Sequence, residues 1–493
     1  MSKYLISIDQ STQGTKMLLF NEDGKLVKRL DLPHQQIISD AGWVSHDVEE
    51  IYANVISLMQ KMLEQTGIKA EEILGLGISN QRETSVAWDR ETGKSLAHAV
   101  VWQCARAAAI CDRVEAAGHA EMIKEHTGMN LSPYFPASKF AWLLENVPAV
   151  KEAADAGRLC FGTIDAWLIY RLTGGKSYKT DLSNAARTQL FNIHTLSWDP
   201  EICEIFGIPM NALPEVVPTD AEFGFTSFDG TLTSEIPIHS AMGDSNGALF
   251  GQGCVAPGMV KSTYGTGSSI MMNIGEKPLV SKNGLVTSIA WGIDGVVNYV
   301  FEGNLNYTGA SITWLKDDLQ LIRNAGETEE LARQAVQDDT LYLVPAFSGL
   351  GAPYWDSYAK AAFIGMSRTT GWKELVRAGV ESIAYQITDV LQAMADDAGT
   401  AIEALRVDGG PTHNGYLMQF QADIARTRVQ IPDAEELSGI GAAYVAGIAL
   451  GFWDKNIAER MGRREFAPAM DPETRDKKYH GWQGAVRQVL AHD

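Results

Sequence analysis

The chain has 493 residues, 45% of them hydrophobic, and a formal net charge of -20. At about 100 to 200 residues per domain, that length predicts two to four domains, each with its own core. With 61 acidic against 41 basic residues, the chain has no basic footprint to neutralise phosphates, which excludes nucleic acid and anionic membrane as main partners but leaves a small anionic ligand open. The five cysteines, Cys104, Cys111, Cys160, Cys203 and Cys254, include no Cys-x-x-Cys pair. Neither a disulfide framework nor a zinc site is expected. The N-terminus lacks a leader pattern and no run of about eighteen apolar residues occurs, so a cytoplasmic location with no membrane contact is expected.

In chain order, Tyr4-Leu5-Ile6-Ser7-Ile8 reads as a strand that runs into Asp9-Gln10-Ser11-Thr12-Gln13-Gly14-Thr15. Ser45-His46-Asp47 predicts a helix start, with Ile51, Val55, Leu58, Met59 and Met62 on one buried stripe and Gly67 as the stop. Ile73 to Ile78 predicts a buried strand ending at Asn80-Gln81-Arg82-Glu83. Gly174-Gly175-Lys176-Ser177 resembles the tail of a P-loop, but Ile169 and Tyr170 stand where the leading glycine belongs, so it reads as a hairpin turn. Ile236-Pro237-Ile238 begins a strand that delivers Gly243-Asp244-Ser245-Asn246-Gly247. Residues 341–344 read as a strand, 374–396 as a long helix, and 404–407 as a strand entering Asp408-Gly409-Gly410. This alternation predicts α/β layers with ligands at the carboxyl edges of the strands. A domain boundary is placed near residues 245–255.

A strand-end carboxylate followed by small residues that open a helix suits a base for phosphoryl transfer, because the acid reaches a hydroxyl while backbone N–H groups face an anion. Asp244 and Asp9 both have this setting. Taken singly, each is more often a helix cap. Likewise Arg82 and Glu83, taken by themselves, read as a surface ion pair, and Trp102 and Tyr134 as core aromatics. His46, His194 and His239 fall in no metal-ligand spacing and are read as structural. Gly265-Thr266-Gly267 lacks the third glycine of a dinucleotide loop, which argues against a nicotinamide dehydrogenase.

Taken together, the segments Ile78 to Thr84, Val101-Trp102-Gln103-Cys104, Tyr134 to Asn146, Phe191 to Leu196, Pro345 to Asp356 and Leu405 to Gly410 resemble the FGGY carbohydrate kinases, in their glycerol kinase-like branch. The resemblance runs from Tyr4 to about Trp482. It implies two actin-like (ribonuclease H-like) ATPase domains flanking a catalytic cleft, with residues 1–248 binding a sugar or polyol and residues 249–493 binding the nucleotide. It further implies ATP and Mg²⁺ as cofactors and a small polyol or sugar as the partner, and it leaves a homodimer or homotetramer open. By position, Asp244 would be the catalytic base, and Asp9 and Asp244 would hold Mg²⁺ largely through water. Arg82, Glu83, Trp102, Tyr134, Asp244 and Ser245 would contact the polyol. Thr12, Gly265, Thr266, Gly309, Gly410 and Asn414 would line the nucleotide site.

Departures from the family pattern bear on substrate choice. Ser245 stands where glycerol kinases carry Gln, Ser269 where they carry Phe, and Glu302-Gly303-Asn304-Leu305-Asn306 places Asn where the pattern is small or aromatic. A pocket enlarged toward a tetritol or short ketose is therefore expected, with a true glycerol kinase as the alternative and a non-catalytic actin-like nucleotide switch as the reading of another class. In the phosphate loop, Ser11, Gln13 and Gly14 replace the commoner Gly, Thr and Ser, and Gly14 is expected to supply flexibility. Gly230 to Glu235 lacks the arginine loop that binds fructose bisphosphate in some glycerol kinases, so no such inhibition is expected, and His239 does not match the phosphorylatable histidine of other members.

Overall fold

The alternating signals resolve into two mixed sheets that follow the same strand path. The structure, a computed structural model, describes residues 2–336 and 340–490. The first sheet is built from β1 (Tyr4–Gln10), β2 (Gly14–Phe20), β3 (Leu26–Pro33), β4 (Ile73–Asn80), β5 (Gly224–Thr226) and β6 (Ile236–Gly243), in the order β5-β6-β4-β1-β2-β3. The second contains β7 (Val260–Tyr264), β8 (Ser268–Gly275), β9 (Val286–Ile293), β10 (Val296–Leu305), β11 (Ala404–Asp408), β12 (Arg428–Pro432) and β13 (Arg463–Phe466), in the order β9-β10-β8-β7-β11-β12-β13. In each, an antiparallel meander joins a parallel trio: β3-β2-β1 leads to β1-β4-β6, and β10-β8-β7 leads to β7-β11-β12. The expected repetition of the architecture is thus present.

Central parallel strands must be covered on both faces, so their sequences are continuously apolar. Leu5, Ile6, Ile8, Leu76 and Ile78 are fully buried accordingly. One cover is helix α1 (Val48–Thr66), which begins and ends where its caps predict: the Asp47 carboxylate accepts from the Glu49 N–H, and Gly67 takes the left-handed conformation at φ 70°. Its buried residues include the five predicted ones.

Four further helices position the site: α2 (Pro136–Asn146), α3 (Asp244–Gly251), α4 (Gly309–Asp317) and α5 (Trp372–Ala398). They are followed by α6 (Gly415–Ala425) and α7 (Leu437–Ala449). The strand and long helix expected near 341–344 and 374–396 are found as Tyr342–Val344 and α5. Gly174 and Gly175 (φ 63° and 79°) do not form a hairpin: they end the helix Ile164–Leu172 in left-handed turns, the conformation glycine adopts without strain.

Although α7 lies far along the chain, it packs on the first sheet. A Cβ on Gly77 of β4 would stand 2.4 Å from the Ala442 carbonyl oxygen. Helix α7 also crosses α3 with main chain against main chain. A Cβ on Gly441 would lie 1.9 Å from the Gly247 oxygen, and one on Gly251 would lie 2.3 Å from the Leu437 oxygen. A buried cluster including Leu5, Leu18, Leu249, Phe250, Met271, Trp291 and Ala443 joins residues of both sheets to this crossing. Among the described residues no helix is long and apolar enough to cross a membrane, and all five cysteines are unpaired and buried.

Because the neighbouring atoms at the crossing are backbone, a methyl group there forces the helices apart. Gly441→Ala is expected to lower stability by about 1 to 3 kcal/mol, read from urea unfolding; an unchanged midpoint would contradict the tight crossing.

Candidate active site

Register brings the two predicted carboxylates to one edge. Asp9 pairs with Ser79, and Gly243 pairs with Asn80, so Asp9 and Asp244 flank the carboxyl end of β4 from either side. Asp9 is 4% exposed; the Ser79 hydroxyl donates to Oδ1 at 3.1 Å, and the Lys16 ammonium lies 3.4 Å from Oδ2. Lys16 is shared with Glu436 at 2.6 Å. Burial pushes the Asp9 carboxyl up against the pull of Lys16.

Asp244 is the first residue of α3. Its side chain sits deep between the lobes yet remains 34% exposed to the cleft. The Ser245 N–H donates to Oδ1 at 2.7 Å, and the Arg82 guanidinium lies 3.7 Å from the same oxygen. Burial pushes its carboxyl up to about 6, opposed by Arg82 and reinforced by Glu83. A carboxylate so placed is basic enough to accept a hydroxyl proton in a transition state.

Arg82 and Glu83 are not a surface pair: they are 5% and 2% exposed. Glu83 adopts a left-handed backbone (φ 59°), the kind of strain that surrounding contacts must hold in place. Arg187 donates from Nε to Glu83 Oε1 at 2.5 Å. Behind Asp244, Glu302 of β10 receives both terminal nitrogens of Arg82, at 2.6 and 3.1 Å, while Arg187 Nη1 lies 3.2 Å from Oε2. The two arginines hold the fully buried Glu302 carboxyl at about 2, although burial alone would raise it. Motif reading missed Arg187 and the role of Glu302. A charged residue inside the apolar strand Val-Val-Asn-Tyr-Val-Phe-Glu-Gly was the available signal, since such a residue is rarely buried without a partner.

Trp102 and Tyr134 are half-buried, not core, with ring centroids 5.6 Å apart. The Trp102 indole donates to Thr12 Oγ1 at 2.9 Å, tying the aromatic wall to the first phosphate-loop candidate. Gly14 also has a packing task. A Cβ there would stand 2.7 Å from the Leu32 oxygen, so glycine is needed for close packing on β3. His46 is buried against His34 with ring centroids 4.5 Å apart, while His194 and His239 meet the Glu125 and Asp220 carbonyls.

On the second sheet, Gly265, Thr266 and Gly309 come together: the Gly309 N–H donates to the Gly265 oxygen at 2.9 Å, and Ala310 N–H donates to Thr266 oxygen at 2.9 Å. The adjoining turn after β11 requires glycine at Gly409 (φ 98°), where a Cβ would lie 2.0 Å from the Tyr264 oxygen; Gly410 faces open space. Asn414 caps α6 by accepting from Leu417 N–H and donates to Thr328 Oγ1 at 3.0 Å, so a structural task accompanies its expected role. Buried Lys261, also missed in the sequence, links the lobes electrostatically: burial lowers it, while Asp408, Asp244 and Glu302 pull it back up and Arg82 opposes them. Ser269 pairs with Asn304 on the face that carries Glu302, and its buried Oγ has no partner among the described residues. No group of three or more His, Cys, Asp or Glu suited to a metal occurs among the described residues. Asp9 and Asp244 are the residues that would hold a Mg²⁺ ion, with water and phosphate oxygens as its other ligands.

Depression of the Glu302 carboxyl contributes stability that is present above its usual value of 4.5 and lost as pH falls through about 2. Glu302→Gln, which takes one carboxylate partner from each of two buried guanidinium groups, is expected to lose about 3 to 5 kcal/mol at neutral pH. In urea titrations its stability should fall less steeply than that of the wild type as pH drops below 4.5; parallel curves would remove the assignment.

Comparison with known proteins agrees with this geometry. Residues 4–251 match the N-terminal domain of the FGGY family of carbohydrate kinases, and residues 260–450 match its C-terminal domain. The chain is 47% identical to a glycerol kinase of Caldanaerobacter subterraneus subsp. tengcongensis, with 99% of each chain covered. It is also 47% identical to glycerol kinase 2 of Thermotoga maritima, again with 99% of each covered. The structure of Plasmodium falciparum glycerol kinase with ADP superposes with a TM-score of 0.94 at 35% identity, covering 100% of this chain and 99% of that one. A xylulose kinase structure from Lactobacillus acidophilus, 22% identical with 100% of this chain and 99% of that one covered, shares the fold at a TM-score of 0.89. With its two α/β lobes of actin-like ATPase type, the chain belongs to the FGGY family of carbohydrate kinases, ATP-binding phosphotransferases whose acceptor is an alcohol group.

Proposed function

We propose that the protein transfers the γ-phosphoryl group of ATP to a terminal hydroxyl of a small polyol, with glycerol as the acceptor. The observation that carries this reading is the partly exposed Asp244 carboxylate, set at a strand edge beside the buried Arg82–Glu83 pair and within the electrostatic reach of Lys261 from the other lobe. Full-length similarity to proteins named glycerol kinase supports the choice of acceptor.

Asp244 accepts the proton of the attacking hydroxyl. Arg82 and Glu83 fix neighbouring hydroxyls, and Trp102 and Tyr134 cover the carbon chain, which places the nucleophile for in-line attack. Thr12 and Thr266 donate to phosphate oxygens, while Gly309, Gly410 and Asn414 border the nucleoside. Mg²⁺ near Asp9 and Asp244 would supply charge neutralisation on the phosphates. Unpaired, buried cysteines support a cytoplasmic setting.

A second acceptor reading rests on a separate observation. Ser269 Oγ is buried and unpaired beside exposed Asn304, whose side chain makes no hydrogen bond among the described residues. A bare polar lining of this kind suits a tetritol or short ketose, whose extra hydroxyls would pair with it. Where a Phe would cover the substrate, its burial contributes about 1.5 to 3 kcal/mol that Ser269 cannot.

Asp244→Asn is expected to lower turnover by about 10² to 10⁴ while ATP still binds; polyol-independent behaviour identical to the wild type would favour a non-catalytic nucleotide switch. Specificity constants for glycerol, erythritol, threitol and the pentuloses separate the two acceptor readings. Clear glycerol preference discards the larger pocket, and preference for a longer acceptor discards glycerol.

A further inference from the structure

Lys139 lies on α2 and is 0% exposed. Its ammonium has three donors, and three main-chain carbonyls receive them: Glu83 at 3.2 Å, Trp102 at 3.4 Å, and Tyr134. No carboxylate pairs with it among the described residues. The ammonium also stands 5.9 Å from the centroid of the Tyr134 ring. Burial lowers it to about 7, partly offset by the Glu83 charge and by Cys104 and Cys111, with Arg106 acting the other way. Maintaining a charge in so dry a place is unfavourable unless every N–H is used.

The three acceptors are what give the arrangement meaning. They belong to three segments that share no strand or helix, namely the turn after β4, the loop following Val101, and the residues just before α2. Each of these three residues also supplies a side chain to the polyol site. Glu83 is moreover held in a left-handed conformation that needs outside support. We propose that Lys139 is a positioning residue for polyol binding, a single ammonium that fixes the main chains of Glu83, Trp102 and Tyr134 at one mutual spacing. An apolar side chain in its place leaves the Trp102 and Tyr134 carbonyls without this donor and the Glu83 carbonyl with only the Ser85 hydroxyl at 3.4 Å, and the segments relax independently. The effect falls chiefly on acceptor binding, because none of the three segments carries the Gly265, Gly309 or Gly409 turns and Trp102 reaches the phosphate loop through one side-chain hydrogen bond to Thr12.

The test is steady-state kinetics of Lys139→Met and Lys139→Gln with glycerol, or with erythritol if the wild type prefers it. Lys139→Met is expected to raise the polyol KM about ten-fold or more while the KM for ATP stays within about two-fold. Lys139→Gln retains two N–H donors and is expected to recover part of that loss. An unmoved polyol KM in both variants, an equal rise in both substrates' KM, or failure of both variants to fold would overturn the proposal, since each outcome makes the lysine a general scaffold residue. The inference rests on the polyol site proposed above. A wild type without polyol-dependent ADP release removes that site, whereas normal wild-type kinetics with an unmoved KM in both variants removes Lys139 alone.

Discussion

Everything in the cleft depends on two helices that meet without side chains between them. Helix α3 begins with Asp244, and α7 brings Gly439 so close to the first sheet that a Cβ there would lie 3.4 Å from the Asp9 Cβ. Their crossing at Gly247, Gly251 and Gly441 leaves no layer of compressible side chains. The separation of the two strand-edge carboxylates is therefore set by backbone contact. Helix α7 returns from the second half of the chain to cover the first sheet, so the first lobe is not complete without sequence from the second half.

Around this frame the protein buries an unusual amount of charge. Arg82, Arg187 and Lys261 meet Glu83, Glu302, Asp244 and Asp408 in one network that spans both lobes. Desolvation makes such a network a poor source of stability compared with apolar packing. What it provides is direction: Arg82 is oriented by Glu302 with two hydrogen bonds and so presents Nε toward Asp244 and Glu83. The Asp244 carboxyl is raised by burial and by Glu83, then restrained by Arg82, which suits a base that must stay ionised and still accept a proton.

Local sequence carried the fold well wherever one physical signal dominated. Helix α1 was legible from its caps and apolar stripe, and β4 from an uninterrupted apolar run ending in polar residues. The Gly174-Gly175 pair misled because two glycines fit a hairpin and a helix terminus equally, and only the preceding helix decides between them. In the site, Asp9, Asp244, Arg82 and Glu83 stood out because they sit at strand ends. Glu302, Arg187, Lys261 and Lys139 did not, since their importance comes from partners remote in sequence. The buried location of the Arg82–Glu83 pair was similarly invisible, as adjacent opposite charges look the same on a surface or in a core.

The seal formed at Glu302 has a further effect. Its carboxylate is fully buried and paired with two arginines reaching over from the opposite lobe. Water is the competing acceptor for a phosphoryl group, and an ion pair closed across the lobes leaves less room for it. In the proposed transfer to a polyol, a lobe junction fastened by that single glutamate works against hydrolytic loss.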